Sequence, residues 1–238
     1  LESVTQQENA HIHNSGSERK EMVEPLTNYF VGRLMKDYDA GNTIIGAVFT
    51  SVNRQKGLDW LHRNAYSGGL DFQRYWKNRW WHVTGNLLCS RVEGTTEAIS
   101  ITQKRFEHYF QRPEAPHVEL DQTRTSLTGT SGTIKFGKFG GKPDKLGGIF
   151  KFQTGNTWRS PQFEINDIGF MQSADEINHF TWAGYHIQQP FSVFRNFRFN
   201  YNHWYKWDFS GRHLFTLFNI NAHAFFKNNW SVGGGMYL

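Results

Sequence analysis

The stretch 159–176, RSPQFEINDIGFMQSADE, is the most distinctive polar run in the chain, with Arg159, Glu164, Asn166, Asp167, Asp175 and Glu176 close in sequence. Two carboxylates in one loop can act as acid and base in glycoside cleavage if their separation and pKa values suit it. The same groups can instead fold the loop, by pairing with Arg159 and accepting backbone N–H groups, and that is the expected role. Arg159, Glu164, Asn166, Asp167 and Asp175 are the candidate ligand contacts, and no residue is assigned a catalytic role. A second mixed stretch, 93–126, carries Arg105, His108, Tyr109, Arg112, Pro113, His117, Asp121 and Arg124. Loops of such composition often touch ligands, though position on a loop is a weak warrant. His11 and His13 would share a strand face, but no third metal ligand stands near them, so they read as solvent-exposed histidines. The single cysteine, Cys89, excludes an internal disulfide and falls at an apolar parity that suits lipid or core rather than nucleophilic chemistry. No P-loop, Gly-x-Ser-x-Gly or His-Glu-x-x-His motif is present.

Those loops must hang from strands. Phe197, Phe199, Tyr201, His203, Tyr205 and Trp207 share one parity, and Arg198, Asn200, Asn202 and Lys206 the other, with Trp204 the large aromatic out of step. Phe218, Ile220, Ala222, Ala224 and Phe226 oppose Asn219, Asn221 and His223 in the same way. A period of two means strands with an apolar and a polar face. Further pairs are 28–38 with 43–53, 66–76 with 81–90, 127–138 with 149–159, 178–188 with 193–207, and 214–226 with 230–238. That makes about ten strands, with no segment of helical period long enough to compete. Residues 1–26 are polar and aperiodic and read as a loop or flexible entry segment, with ordering on packing the alternative.

Links within the pairs are mostly short, whereas 54–65, 93–126 and 160–177, between pairs, are longer, with 208–212 the shorter member of that set. Outer-membrane barrels alternate in this way, with tight periplasmic turns and longer outer loops. A Greek-key sandwich would mix long crossovers among its hairpins. Strands of about eleven residues, rising ~3.3 Å each and tilted ~40°, cross roughly 25–30 Å, the height of a bilayer's apolar band. Tyr75, Trp76, Trp80, Trp81, Phe191, Phe194, Phe225, Phe226 and Trp230 gather at the short turns, where a headgroup-level girdle would need them.

Composition narrows the classes. Aromatic residues are 16% against 20% charged, so the rings need a surface to cover. Mean hydropathy is -0.63 and no apolar run approaches ~18 residues, which excludes a transmembrane helix but not a barrel, whose alternation averages out. The net charge of +5 is spread singly along the chain. That argues against nucleic acid and leaves anionic lipid or a glycan as the acidic partner.

The runs NYFVGRLMKDYDAGNTIIGAVFTSVNR, GGLDFQRYWKNR, DQTRTSLTGTSGTIKFGK and WRSPQFEINDIGFMQSADEINHFTW match, in order, a known pattern. From Thr27 to Leu238 the chain resembles the C-terminal barrel region of a Bacteroidota family catalogued as a domain of unknown function, number 5916. The resemblance implies an outer-membrane barrel that commonly follows a family-9-like carbohydrate-binding β-sandwich module, absent here. It therefore implies a piece of a longer protein with a glycan connection, and it carries over no catalytic residues. The last strand, ending Met236-Tyr237-Leu238, lacks the terminal aromatic that barrel assembly usually reads.

The sequence thus predicts an all-β, antiparallel up-and-down transmembrane β-barrel, or a partial one, over 27–238, behind a polar opening segment at 1–26. The expected setting is the outer membrane of a Gram-negative bacterium. Outer-membrane lipid, lipopolysaccharide and glycans are the expected partners, and pore, importer or surface platform the expected role. The alternative is a soluble carbohydrate-binding or glycan-cleaving β-sandwich, with Trp158, Trp182 and Trp204 as stacking platforms. No cofactor, metal or nucleic acid is expected in either case.

Overall fold

Only an extended chain can put Phe199, Tyr201 and Tyr205 on one side and Asn200 and Asn202 on the other, and the alternating segments are strands throughout. The computed structural model describes residues 1–14 and 16–238. Among these, the opening residues form β1 (Glu2–Thr5), β2 (Glu8–Asn14) and β3 (Ser17–Glu24). Seven longer strands follow: β4 (Thr27–Tyr38), β5 (Thr43–Arg54), β6 (Asn64–Trp76), β7 (Trp81–Glu93), β8 (Ser126–Lys138), β9 (Gly148–Arg159) and β10 (Glu176–Ile187). The chain closes with β11 (Phe194–Trp207), β12 (His213–Phe226) and β13 (Ser231–Tyr237), and a helix, α1 (Thr96–Lys104), lies between β7 and β8.

An 11-stranded antiparallel sheet takes the order β1-β4-β5-β6-β7-β8-β9-β10-β11-β12-β13, and β2 and β3 form a separate hairpin. From β4 onward each strand pairs with its sequence neighbour, so the sheet is an up-and-down meander. The turns 39–42, 77–80, 139–147, 188–193 and 227–230 therefore share one end, and the segments 55–63, 94–125, 160–175 and 208–212 share the other. β1 covers the edge of β4 over Thr27–Phe30, and Leu1 extends the pairing to Val31. Beyond Val31 no strand pairs with that edge of β4, and none pairs with the far edge of β13, among the described residues. The sheet is open as it stands.

Two expectations need correction. Residues 1–26 were expected to form a loop, yet β1 joins the main sheet and His11 and His13 sit in the β2–β3 hairpin, opposite Lys20 and Glu18. Its residues are almost all exposed, so no buried face imposes a legible alternation. The stretch 93–126 holds a helix, which had no clear period. Thr95 caps it by accepting the Ala98 N–H at 3.1 Å, and Ala98, Ile99, Thr102 and Gln103 are its buried side.

Register assigns the faces. Leu34 and Ala47 are opposite one another, Ala47 faces Leu70, and Leu70 faces Leu87, all on one side of the sheet. That side is mainly apolar and exposed: Leu34 is 78%, Leu70 63% and Phe150 53% accessible, while across β9, β10 and β11 it also carries Asn156, Thr154, His179, Thr181 and His203, hydrogen-bonded among themselves in part. Aromatic rings bound it at both ends. Trp76, Trp81, Phe136 and Phe152 pack together near the short turns, with Trp76 and Trp81 stacked at 6.4 Å. Tyr66, Trp158 and Trp207 take the long-loop end. The other side carries Arg33, Asp71, Gln73, Asn86, Lys135, Asn200, Asn202, Asn219 and Asn221, with amide-to-amide bonds such as Asn202 Nδ2 to Asn219 Oδ1 at 3.0 Å.

The core lies on the polar side, at the long-loop end only. Val52, Ala65, Val92 and Leu127 form one ladder row there, and Ile99, Phe110, Ala115 and Val118 from the 94–125 segment pack onto them. Phe163, Met171 and Ala174 of the 160–175 loop form a second cluster beside Leu88. Phe163 lies so close to the wall that a Cβ on Gly129 would sit 2.2 Å from its backbone N, so only glycine fits there. Each fully buried large side chain, such as Phe163 or Ile99, contributes about 1.5–3 kcal/mol. The two long loops are thus docked onto the polar face and cap its end.

Candidate functional site

The cap is joined to the wall by buried ion pairs. Glu164 is 1% exposed, accepts from His108 Nε2 at 2.9 Å and from the Asn166 N–H at 2.5 Å, while its own N–H donates to Ser90 Oγ of β7 at 3.0 Å. His108 Nδ1 faces the Pro161 carbonyl at 2.8 Å, so an imidazolium that donates from both nitrogens satisfies both partners. Asp167 accepts from Arg54 Nη1 of β5 at 2.5 Å and from His62 Nδ1 at 2.7 Å. His62 Nε2 meets Thr102 Oγ1 at 2.6 Å, and Thr102 donates onward to the Ala98 carbonyl at 3.1 Å. One carboxylate therefore joins β5, the 55–63 loop and, through His62, helix α1.

Burial pushes the Glu164 carboxyl up, but the hydrogen bonds from His108 and the Asn166 N–H, with the charges of His108 and His62, outweigh it and hold Glu164 below its ordinary range. Asp167 behaves alike: desolvation raises it, and the bond and charge of His62 together with Arg54 bring it lower than a free aspartate. Asp208, in the 208–212 turn, is also held low, its desolvation overcome by Ser210 and by the Ser210 and Arg212 N–H groups.

Of the sequence-predicted residues, Glu164, Asn166 and Asp167 line one cavity of about 190 Å³, together with Arg54, Trp60, His62, Thr102 and Arg105. Asn166 accepts from the Met171 N–H at 2.7 Å, and its buried Nδ2 has no partner among the described residues. Arg159 and Asp175 are not part of that cavity. Arg159 pairs with Glu176, which also holds Lys206 at 2.7 Å. Asp175 pairs with Arg112, accepts from His117 Nε2 at 2.8 Å and takes the Phe209 N–H at 3.1 Å. His117, Asp175 and Asp208 bring their ligand atoms within 4.8 Å of one another, a spacing that could hold a cation. There, however, Arg112 already neutralises Asp175, and the Asp208 oxygens accept from Ser210 and Arg212. In the small cavity Glu164 is engaged by His108 and the Asn166 N–H, and Asp167 by Arg54 and His62, so neither carboxylate is presented free to a ligand.

Sequence reading missed Arg54 and His62, which come from RQKGLDWLHRNA at 54–65. Its density of Arg, Lys and His around one Trp was the available signal. A larger cavity, about 500 Å³, lies under that loop, at the long-loop ends of β6, β7 and β8. The three tryptophans of the sandwich alternative do not share a surface: Trp158 is on the apolar face and Trp182 and Trp204 on the polar one.

The family model described as "Domain of unknown function (DUF5916)" matches residues 1–238. The chain belongs to this family. The match takes in the first 26 residues, which the resemblance read from the sequence had left out, and in this DUF5916 chain those residues supply β1 and the hairpin at the capped end. No curated protein and no solved structure matches it.

Proposed function

We propose that the chain is the wall of an outer-membrane β-barrel whose outer end is closed by a docked loop cap, and that it works as a gated importer or surface platform. One observation carries this: the exposed face of the sheet is the apolar one, while the polar face receives the folded loops. A water-soluble sheet does the reverse. A barrel in lipid needs an apolar exterior and a polar interior. The height agrees. Tyr66 and Trp76 are ten residues apart on β6, with Leu70 and Phe72 between them. That is about 33 Å of strand at ~3.3 Å per residue, or about 25 Å of membrane normal at the usual ~40° tilt.

The cap favours a gated role over a permanently open pore, since the 94–125 and 160–175 loops are tied to the wall by buried apolar contacts and the Arg54–Asp167 pair, and to each other by His108–Glu164. The proposal requires the free edges of β4 and β13 to be paired, with one another or with further strands; the two run antiparallel in the meander, as pairing would need. The test is cellular. Membranes of a Gram-negative host that expresses the full parent protein are washed with carbonate and run on a gel with and without boiling. Retention in the outer membrane with heat-modifiable migration is expected, and release as a soluble monomer would contradict it.

A further inference from the structure

The cavity of about 500 Å³ lies where three strands end, and Asn64, Arg91, Glu93 and Ser126 are among its lining residues. Register puts these four on the apolar side of the sheet: Asn64 faces Glu93, Glu93 faces Ser126, and Arg91 faces Tyr66. The cavity therefore sits at the rim of the apolar face, one step above the Tyr66 ring. Its roof, the 55–63 loop, is held in place before any ligand arrives. Thr95 Oγ1 donates to the Asp59 carbonyl, the Gln55 N–H donates to Leu26 at 2.8 Å, and Met22 of β3 closes over Gly57.

The charges inside are unbalanced in a useful way. Glu93 is already engaged by Arg91 at 2.7 Å and by Asn64. Arg54 spends its charge on Asp167, outside the lining. Lys56 and Arg63 have no carboxylate within ion-pair distance among the described residues, which leaves two free cations against the single unpaired carboxylate of Asp59. Asn64, Thr125 and Ser126 add amide and hydroxyl groups of the kind that bind sugar hydroxyls. The volume suits one or two sugar rings.

We propose that this cavity binds a phosphorylated sugar, with Lys56 and Arg63 on the phosphate and Asn64, Thr125 and Ser126 on the ring hydroxyls. Its position at headgroup height makes the phosphorylated headgroup of an outer-leaflet glycolipid the source. That source, unlike the pocket chemistry, rests on the barrel reading above. Cations at this level are attracted to anionic headgroups and are weakened by salt.

The experiment uses the full, folded chain and a Lys56→Ala/Arg63→Ala variant, both side chains being in the exposed loop. Each is tested for flotation with phosphatidylcholine vesicles, which reads insertion, and in detergent micelles for binding of a phosphorylated diglucosamine lipid, its dephosphorylated form and soluble glucosamine 1-phosphate. The expected result is a preference of at least about tenfold for the phosphorylated ligand, with a loss of at least about tenfold in the variant, as for charged hydrogen bonds. Phosphate-dependent binding of the lipid without binding of the soluble sugar assigns the lipid as source. Equal affinity for the soluble sugar assigns a free phosphosugar to the same pocket. Binding that ignores both the phosphate and the substitutions, or no binding at all, in protein that floats overturns the pocket and leaves the barrel standing. Failure to float at all removes the barrel, and the soluble arm then decides the pocket alone.

Discussion

At the scale of single residues, the cap depends on carboxylates whose charge is matched across sequence distance. Glu164 is the clearest case, because it sits between His108 of one loop and Ser90 of the wall with almost no solvent. Glu164→Gln leaves His108 facing a neutral amide, and should cost about 1–3 kcal/mol of cap stability. Protease cleavage within 94–125 should accelerate while the strands stay resistant. Unchanged cleavage would mean that the apolar contacts alone hold the cap. Acid should act on the same groups. Glu164 and Asp167 titrate below their ordinary values when folded, so the undocked loops take up protons first as pH falls. Their stabilisation is complete above the ordinary carboxylate range and is lost as pH drops through the lower, folded values. Amide exchange in the two loops, corrected for its intrinsic rate, should stay flat from neutral pH to that range and rise below it. A rise already well above that range would show that these two carboxylates do not control the docking.

At the scale of elements, the strands were legible and the cap was not. The sequence reading of 43–53 and 81–90 became Thr43–Arg54 and Trp81–Glu93 because side chains such as Leu87 and Asn86 face different surroundings, which writes a period of two into the sequence. Helix α1 writes no such pattern, since Thr102 and Gln103 are buried polar residues satisfied by hydrogen bonds to Ala98, Ile99 and Asp121. The candidate site was half legible. The 159–176 loop was singled out for its carboxylates, but Arg54 and His62 reach Asp167 across 113 and 105 residues, a pairing that only the folded meander brings about. The faces themselves can be tested on one strand. Leu87 is midway along Trp81–Glu93 on the apolar side, and Asn86 is its neighbour on the polar side. Leu87→Arg should destabilise the protein in lipid by ~2–4 kcal/mol, as for a cation at the bilayer midplane, while Asn86→Arg should cost under about 1 kcal/mol. Urea unfolding in vesicles measures both. Equal costs would contradict the assignment of faces.

At the scale of the whole molecule, the sheet exposes its more apolar face, and its buried contacts lie among docked loops on the polar side. Such a surface in water would be a broad apolar patch, far beyond what monomers usually expose. The chain carries its own probe of this. Cys89 is its single cysteine, free and exposed, and it shares the apolar face with Leu87 and Gly68. A thiol surrounded by lipid has little contact with a charged, water-soluble reagent. The measurement is therefore the reaction of Cys89 with a charged, water-soluble maleimide in protein reconstituted into vesicles, compared with protein unfolded in denaturant. The account predicts protection in vesicles and full labelling after unfolding. Rapid labelling of the intact protein in vesicles would show that this face meets water, and the barrel would have to be abandoned.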